Sequence, residues 1–191
     1  MKFVLCLFLV SCSLGLVFAD NKDPLTKPSH YVIGFFGQSE TILGSEDGRF
    51  GGGLGFAYGQ PEKRFSLKGL PAQLVYEGYF DRTQSPGGSG YPPNSTLAIG
   101  ALSYARWRWP VDEKGNGVYA DLGWGLQFAN RPTLDLDTRL NSTPVLDIGG
   151  TYRDGHIEYL IGIRYLHISN AGTDRPNFGQ NEFFLTLGFR Y

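Results

Sequence analysis

From residue 30 onward, apolar side chains alternate with small, polar or charged ones, one residue in two. Successive side chains of a strand point to opposite faces, so this period marks two-faced β-strands rather than helices. Eight stretches carry it, at 30–40, 49–59, 70–82, 95–109, 117–129, 144–153, 156–170 and 181–191. Most match the ~9–11 residues that a tilted strand needs to cross a bilayer. Beyond the leader, no segment has the ~18 consecutive apolar residues of a membrane helix.

The two faces differ sharply. In the second stretch Phe50, Leu54, Phe56 and Tyr58 share one face, and Arg49, Gly51, Gly53, Gly55 and Ala57 the other. In the fifth, Val118, Ala120, Leu122, Trp124, Leu126 and Phe128 oppose Tyr119, Asp121, Gly123, Gly125 and Gln127. In the sixth, Leu146, Ile148 and Tyr152 oppose Asp147, Gly149 and Thr151. The polar faces carry both signs of charge, Arg49, Arg106, Arg164 and Arg190 against Glu77, Asp121, Asp147 and Glu158, with many glycines between. A soluble lipocalin-like barrel would place its apolar face inside. Paired charges and glycines instead suit the narrow interior of an eight-stranded antiparallel transmembrane β-barrel, apolar outside in lipid, with no channel and no ligand-binding lumen. The 27 glycines and the 15% of aromatic residues fit tight turns and interfacial girdles. Lys and Arg number 17 against 18 Asp and Glu, so no basic surplus points to nucleic acid.

Residues 1–19 read as a secretory signal peptide, one Lys followed by an apolar run too short to span. Leu9-Val10-Ser11-Cys12 offers a lipoprotein cleavage box as the alternative. Both cysteines, Cys6 and Cys12, fall in this leader, so the mature chain has no thiol chemistry. Residues 20–29, with two prolines, read as an irregular arm, and 30–191 as the barrel domain. The last strand alternates through Leu185, Leu187 and Phe189 to a terminal Tyr191, a pattern similar to the signal recognised by the bacterial barrel-assembly machinery.

Eight strands put both termini on the periplasmic side. Arg153-Asp154-Gly155 is then a tight periplasmic turn, and the stretches near 83–94, 130–143 and 171–180 become outer loops. The connection at 60–69 is longer than this rule predicts. The seventh strand ends near the outer leaflet, and its lipid face runs Ile157, Tyr159, Ile161, Ile163, Tyr165, His167 and Ser169. His167 and Ser169, two residues apart, point the same way at the rim. That spacing lets an imidazole nitrogen reach a serine hydroxyl, the minimum for an activated nucleophile, although such pairs also occur as purely structural contacts. Facing lipid, the pair would meet acyl esters of the outer leaflet without any pocket inside the barrel.

His167-Ile168-Ser169-Asn170-Ala171-Gly172, followed by Pro176-Asn177-Phe178-Gly179, closely resembles the motif of the PagL-type lipid A 3-O-deacylases, eight-stranded outer-membrane esterases of Gram-negative bacteria. The match is densest over 165–181. The resemblance implies that Ser169 attacks the ester carbonyl of the 3-position hydroxyacyl chain. His167 would take the serine proton and return it to the leaving sugar oxygen. Asn170, Gly172 and Asn177 are candidate oxyanion donors, and turn geometry alone also accounts for Gly172 and Gly179. The resemblance further implies a location in the Gram-negative outer membrane, lipid A or lipopolysaccharide as substrate among the surrounding outer-membrane lipids, and no cofactor. No carboxylate cluster suits Ca²⁺, so no metal is expected. The oligomeric state, a homodimer among the options, stays open.

One departure stands out. The family's third catalytic residue is a Glu two residues after the glycine that corresponds to Gly179, and here that position is Asn181. Glu182 follows one residue later. By alternation Asn181 shares the lipid face with His167, whereas Glu182 shares the lumen face with Thr186 and Arg190. A one-residue bulge would bring Glu182 around. Without one, Asn181 orients the imidazole, as an Asn does in Cys-His-Asn enzymes, but without a charge to stabilise imidazolium. Asp174 is a third candidate. The rival functions are a non-catalytic structural barrel, which leaves the motif unexplained, and an esterase for another membrane lipid. Trp124 and Arg175 near the outer rim are candidates to touch lipid A sugars and phosphates, or ordinary members of an aromatic girdle and a charged loop. Two Asn-Ser-Thr triplets, at Asn94 and Asn141, read as loop residues.

Overall fold

A computed structural model describes residues 24–191 apart from 68 and 89. The leader expected at 1–19, Cys12 with its lipoprotein alternative, and the first residues of the arm lie outside the described residues. No helix among those described is long and apolar enough to cross a membrane.

The chain forms β1 (Ser29–Glu40), β2 (Phe50–Pro61), β3 (Ala72–Ser85), β4 (Asn94–Pro110), β5 (Gly117–Ala129), β6 (Leu140–Ser142), β7 (Val145–Asp154), β8 (Ile157–Ile168) and β9 (Gln180–Arg190). All neighbours are antiparallel, in the order β4-β3-β2-β1-β9-β8-β7-β5-β6, and β4 pairs with β5 to close the barrel. β6 and β7 are one stave. Leu126 faces Ser142 and Gly123 faces Val145 in the same register, and Ser142 pairs with Ser169 in line with Val145 and Leu166. Pro144, which has no N–H to donate, interrupts the ladder between them. The nine strands therefore build the expected eight-stranded barrel, with limits within a few residues of those read from the period.

Inside and outside divide as the alternation requires. Phe56, Ile99, Leu122, Ile148, Ile161 and Leu187 stand exposed on the outer wall. The interior holds buried ion pairs. Arg106 grips Asp121 in a bidentate pair at 2.8 and 2.7 Å. Arg164 reaches both Glu77 oxygens at 2.8 and 3.1 Å and Asp147 at 3.1 Å. Buried charges are tolerated only when paired and hydrogen-bonded, and these are. Tyr31, Phe35, Tyr79, Tyr104 and Phe184 fill the remaining space.

Three details differ from expectation. In the arm, Pro24–Thr26 form a turn of 3-10 helix, with Leu25 buried. The long 61–71 connection is built around a second turn of 3-10 helix at Lys63–Phe65, capped by Glu62 and held by Trp107 Nε1 donating to the Phe65 carbonyl at 2.6 Å. Asn94 accepts from Arg49 at the start of β4, and Asn141 is buried in β6, so neither is a free loop residue.

The outer end is tied down by Asp135. Its carboxylate accepts from Ser45 Oγ (2.7 Å), Glu46 N–H (2.8 Å) and Asp47 N–H (3.0 Å), and its carbonyl accepts from Phe178 N–H (3.0 Å). Three outer loops thus meet at one buried residue, two of them through its carboxylate and the third through its carbonyl.

Candidate active site

β8 alternates exposed and buried residues without a break from Ile157 to Ile168, so the outward row runs up to His167 and Ser169. Both are half-buried at the rim, with lipid-facing Ile161 and Ile163 on the wall below. In the next strand Asn181 lies directly opposite His167.

That opposition settles which group meets the imidazole. His167 Nδ1 lies 2.9 Å from Asn181 Oδ1. Tyr165, two residues below His167 on the same face, donates its hydroxyl to the same oxygen at 2.7 Å. The Asn181 Nδ2 donates to the Ile42 carbonyl at 2.9 Å, which fixes the amide orientation, since a flipped amide would set two oxygens against each other. An Oδ1 can only accept, so in the neutral imidazole Nδ1 carries the proton and Nε2 the lone pair. Nε2 is the basic nitrogen. It is left room by Gly179, where a Cβ would stand 2.7 Å from His167 Cε1 and 3.3 Å from Nε2. The same glycine holds φ +75°, a conformation that L side chains seldom adopt, so two separate constraints favour glycine there.

The other candidate orienting groups lie elsewhere. Glu182 points into the barrel, buried, and its Oε2 has no hydrogen-bond partner among the described residues. β9 pairs with β8 in unbroken register through Glu182, so no bulge turns it outward. Asp174 is exposed and its carboxylate caps the Arg175 N–H at 2.8 Å. Trp124 is exposed on β5 and Arg175 in the loop.

The loop after Ser169 has its own network. The Asn170 N–H donates to Asn177 Oδ1 at 2.9 Å, Asn170 Nδ2 donates to the Asp174 carbonyl at 2.9 Å, and Asn170 Oδ1 accepts from the Gly172 N–H at 2.9 Å. Of the three oxyanion candidates, Asn170 and Gly172 thus spend these N–H groups inside the loop. Asn177 Nδ2 has no partner among the described residues, and its amide lies against the peptide that follows Ser169.

Ser169 makes one contact that the motif does not announce. Its hydroxyl lies 3.1 Å from Ser142 Oγ, and Ser142 Oγ also donates to the Ser169 carbonyl at 3.0 Å. Among the described residues no hydrogen bond joins Ser169 Oγ to His167. Catalytic hydrogen bonds are often long without substrate and tighten in the reacting complex. Ser142, Tyr165 and the Ile42 carbonyl were the site groups missed in the sequence. A signal existed for Ser142, because the tight 154–157 turn fixes the antiparallel register that sets residue 142 opposite 169.

The family model described as lipid A 3-O-deacylase (PagL) matches residues 50–190, which include His167, Ser169 and Asn181. The chain belongs to the PagL family. Among solved structures it is similar to the one described as the outer membrane enzyme PagL, at 15% identity and TM-score 0.61, over 83% of this chain and 97% of that one. It is similar in fold also to Neisserial surface protein A, at 13% identity and TM-score 0.57, over 85% and 95% of the two chains. A comparison with curated proteins gives no match. At such identities the solved structures speak for the barrel alone, and membership of the PagL family rests on the sequence match.

Proposed function

We propose that this protein is an outer-membrane serine esterase that removes the 3-O-linked hydroxyacyl chain of lipid A at the lipid-facing outer rim. The observation that carries the reading is the His167–Asn181 contact, which engages Nδ1 and leaves Nε2 as the lone-pair nitrogen of the neutral ring, two residues from an outward-facing serine. In the reaction Ser169 Oγ gives its proton to His167 Nε2 and bonds to the ester carbon, while the carbonyl π pair moves onto oxygen. The Asn177 amide supports that oxyanion; one such donor is worth ~2.7–4 kcal/mol in the transition state. When the oxyanion collapses the bond to the sugar oxygen breaks, and Nε2–H protonates the leaving oxygen. Water, deprotonated by the same nitrogen, then releases the hydroxy acid and restores Ser169. Asn181 orients the ring without a carboxylate charge, so the imidazolium is less stabilised and turnover is slower than with a Glu at this place.

The site stands on the outer wall, so the substrate arrives by diffusion in the leaflet and its chains never leave lipid. The test is mass spectrometry of lipid A from cells expressing the protein beside a Ser169→Ala variant. The expected result is loss of one hydroxyacyl chain, abolished by Ser169→Ala. Unchanged lipid A with a folded barrel would overturn the reading in favour of another ester lipid or a structural barrel.

A further inference from the structure

We propose that Ser142 is a further catalytic residue, whose hydroxyl donates to the oxyanion formed at Ser169. The inference rests on Ser169 being the nucleophile. Ser142 Oγ lies 3.1 Å from Ser169 Oγ, the attacking atom, so it stands beside the carbon whose oxygen takes up the charge. The two residues are a directly opposed cross-strand pair, joined by Ser142 N–H to the Ser169 carbonyl at 2.7 Å and Ser169 N–H to the Ser142 carbonyl at 3.0 Å. This backbone pairing holds the two hydroxyls at a fixed height on the same outward face.

A serine hydroxyl has one proton to give. In the resting structure Ser142 directs it to the Ser169 carbonyl at 3.0 Å, an oxygen that already accepts the Ser142 N–H. The hydroxyl bond is therefore redundant at that carbonyl, and re-aiming it orphans no buried acceptor. Rotation about the Cβ–Oγ bond turns the proton toward Ser169 Oγ and the acyl oxygen bound beside it, with no heavy atom moving. Ser169 is then approached from three directions: by His167 from below on its own strand, by Ser142 from the neighbouring strand, and by the Asn177 amide from the loop above. His167 takes the proton, and Ser142 and Asn177 hold the negative charge. With Asn170 and Gly172 spending these N–H groups in the loop, Ser142 supplies the second donor that an oxyanion hole ordinarily has.

Two rates test this on the purified barrel in detergent: phosphonylation of Ser169 by a fluorophosphonate, and release of hydroxy acid from lipid A. In the first, Ser169 Oγ gives its proton to His167 and bonds to phosphorus, fluoride leaves, and the phosphonyl oxygen occupies the oxyanion position whatever the natural ester is. Ser142→Ala is expected to slow labelling on the order of 10²-fold and to lower kcat on lipid A similarly with KM unchanged. Ser142→Thr, which keeps the hydroxyl, is expected to restore both, and all three proteins should unfold at the same temperature. Labelling of Ser142→Ala within threefold of the parent, or a Thr variant as slow as Ala, overturns the proposal. Ser142-dependent labelling with lipid A left intact supports Ser142 and removes the lipid A reading. A parent protein that does not label at Ser169 overturns both.

Discussion

At the scale of the residue, the rate of the proposed reaction is expected to turn on Asn181. Its Oδ1 holds both His167 and Tyr165, and its Nδ2 is anchored on Ile42. Asn181→Ala removes the group that fixes the imidazole tautomer and angle, and kcat is expected to fall about 10²-fold, the usual consequence of small misplacement. Glu182→Gln, on the opposite face, is expected to leave kcat unchanged. Placing a carboxylate at 181 is less simple. Glu40 of β1 lies directly opposite Asn181 and is half-buried, with Gln38 Nε2 donating to it at 2.6 Å. Like charges directly opposed across strands are destabilising, so Asn181→Glu alone would partly protonate one of the pair. Asn181→Glu with Glu40→Gln is expected to raise kcat over the parent by roughly tenfold, and Asn181→Glu alone by less. Lipid A hydrolysis by the parent, the single and the double variant checks the order, and equal gains from the single and double variants would discard the role given to Glu40. The cross-strand neighbour thus offers a physical reason for an Asn at this position.

At the scale of the element, the site is assembled by register. β8 brings His167 and Ser169, β9 brings Asn181, β6 brings Ser142, and the loop after β1 brings the Ile42 carbonyl. The strands and their faces were legible in the sequence, because period two survives wherever one face meets lipid and the other a packed interior. His167, Ser169 and the outward sense of Asn181 followed from the same count. Ser142 falls in a stretch that reads as a loop, because Pro144 breaks the alternation between β6 and β7. Ile42 was invisible, since a backbone carbonyl in a loop is placed by contacts far along the chain. Those contacts converge on Asp135, which binds Ser45, Glu46 and Asp47. Asp135→Ala takes the acceptor from the Ser45 hydroxyl and the Glu46 and Asp47 N–H groups, at about 1–3 kcal/mol for each of the two on buried residues, Ser45 and Asp47. The loss falls on the 41–49 loop rather than on the barrel. The expected outcome is faster amide exchange at Glu46 and Asp47 and roughly tenfold lower kcat through the loosened Ile42–Asn181 bond, with the barrel's unfolding temperature little changed. Unaltered exchange at those amides would show that Asp135 does not hold the loop.

At the scale of the whole molecule, the barrel is a scaffold turned inside out relative to a soluble enzyme, with charge at its centre and chemistry on its skin. The division has an energetic cost, because each interior charge must be met by another. The centre of this arrangement is Arg164, fully buried, gripping Glu77 and also Asp147 from β8. Arg164 lies on the strand that carries His167 and Ser169 but faces the other way. Arg164→Leu removes the guanidinium and leaves two buried carboxylates without their cation. Breaking a buried pair in this way typically costs about 3–5 kcal/mol, because the remaining charges lose their counter-ion and keep only neutral hydroxyl donors, among them Tyr104 on Glu77 and Tyr119 on Asp147. Arg82→Leu is the matched control, an exposed arginine whose side chain, among the described residues, hydrogen-bonds the Ser95 hydroxyl at 3.1 Å and no carboxylate. The temperature at which the folded barrel converts to the unfolded species on a denaturing gel is expected to drop markedly for Arg164→Leu and to stay near the parent for Arg82→Leu. Adding Glu77→Gln and Asp147→Asn to Arg164→Leu removes the stranded charges and should recover much of the loss. A triple variant no more stable than Arg164→Leu would mean that the guanidinium stabilises the barrel through packing rather than through neutralising its interior.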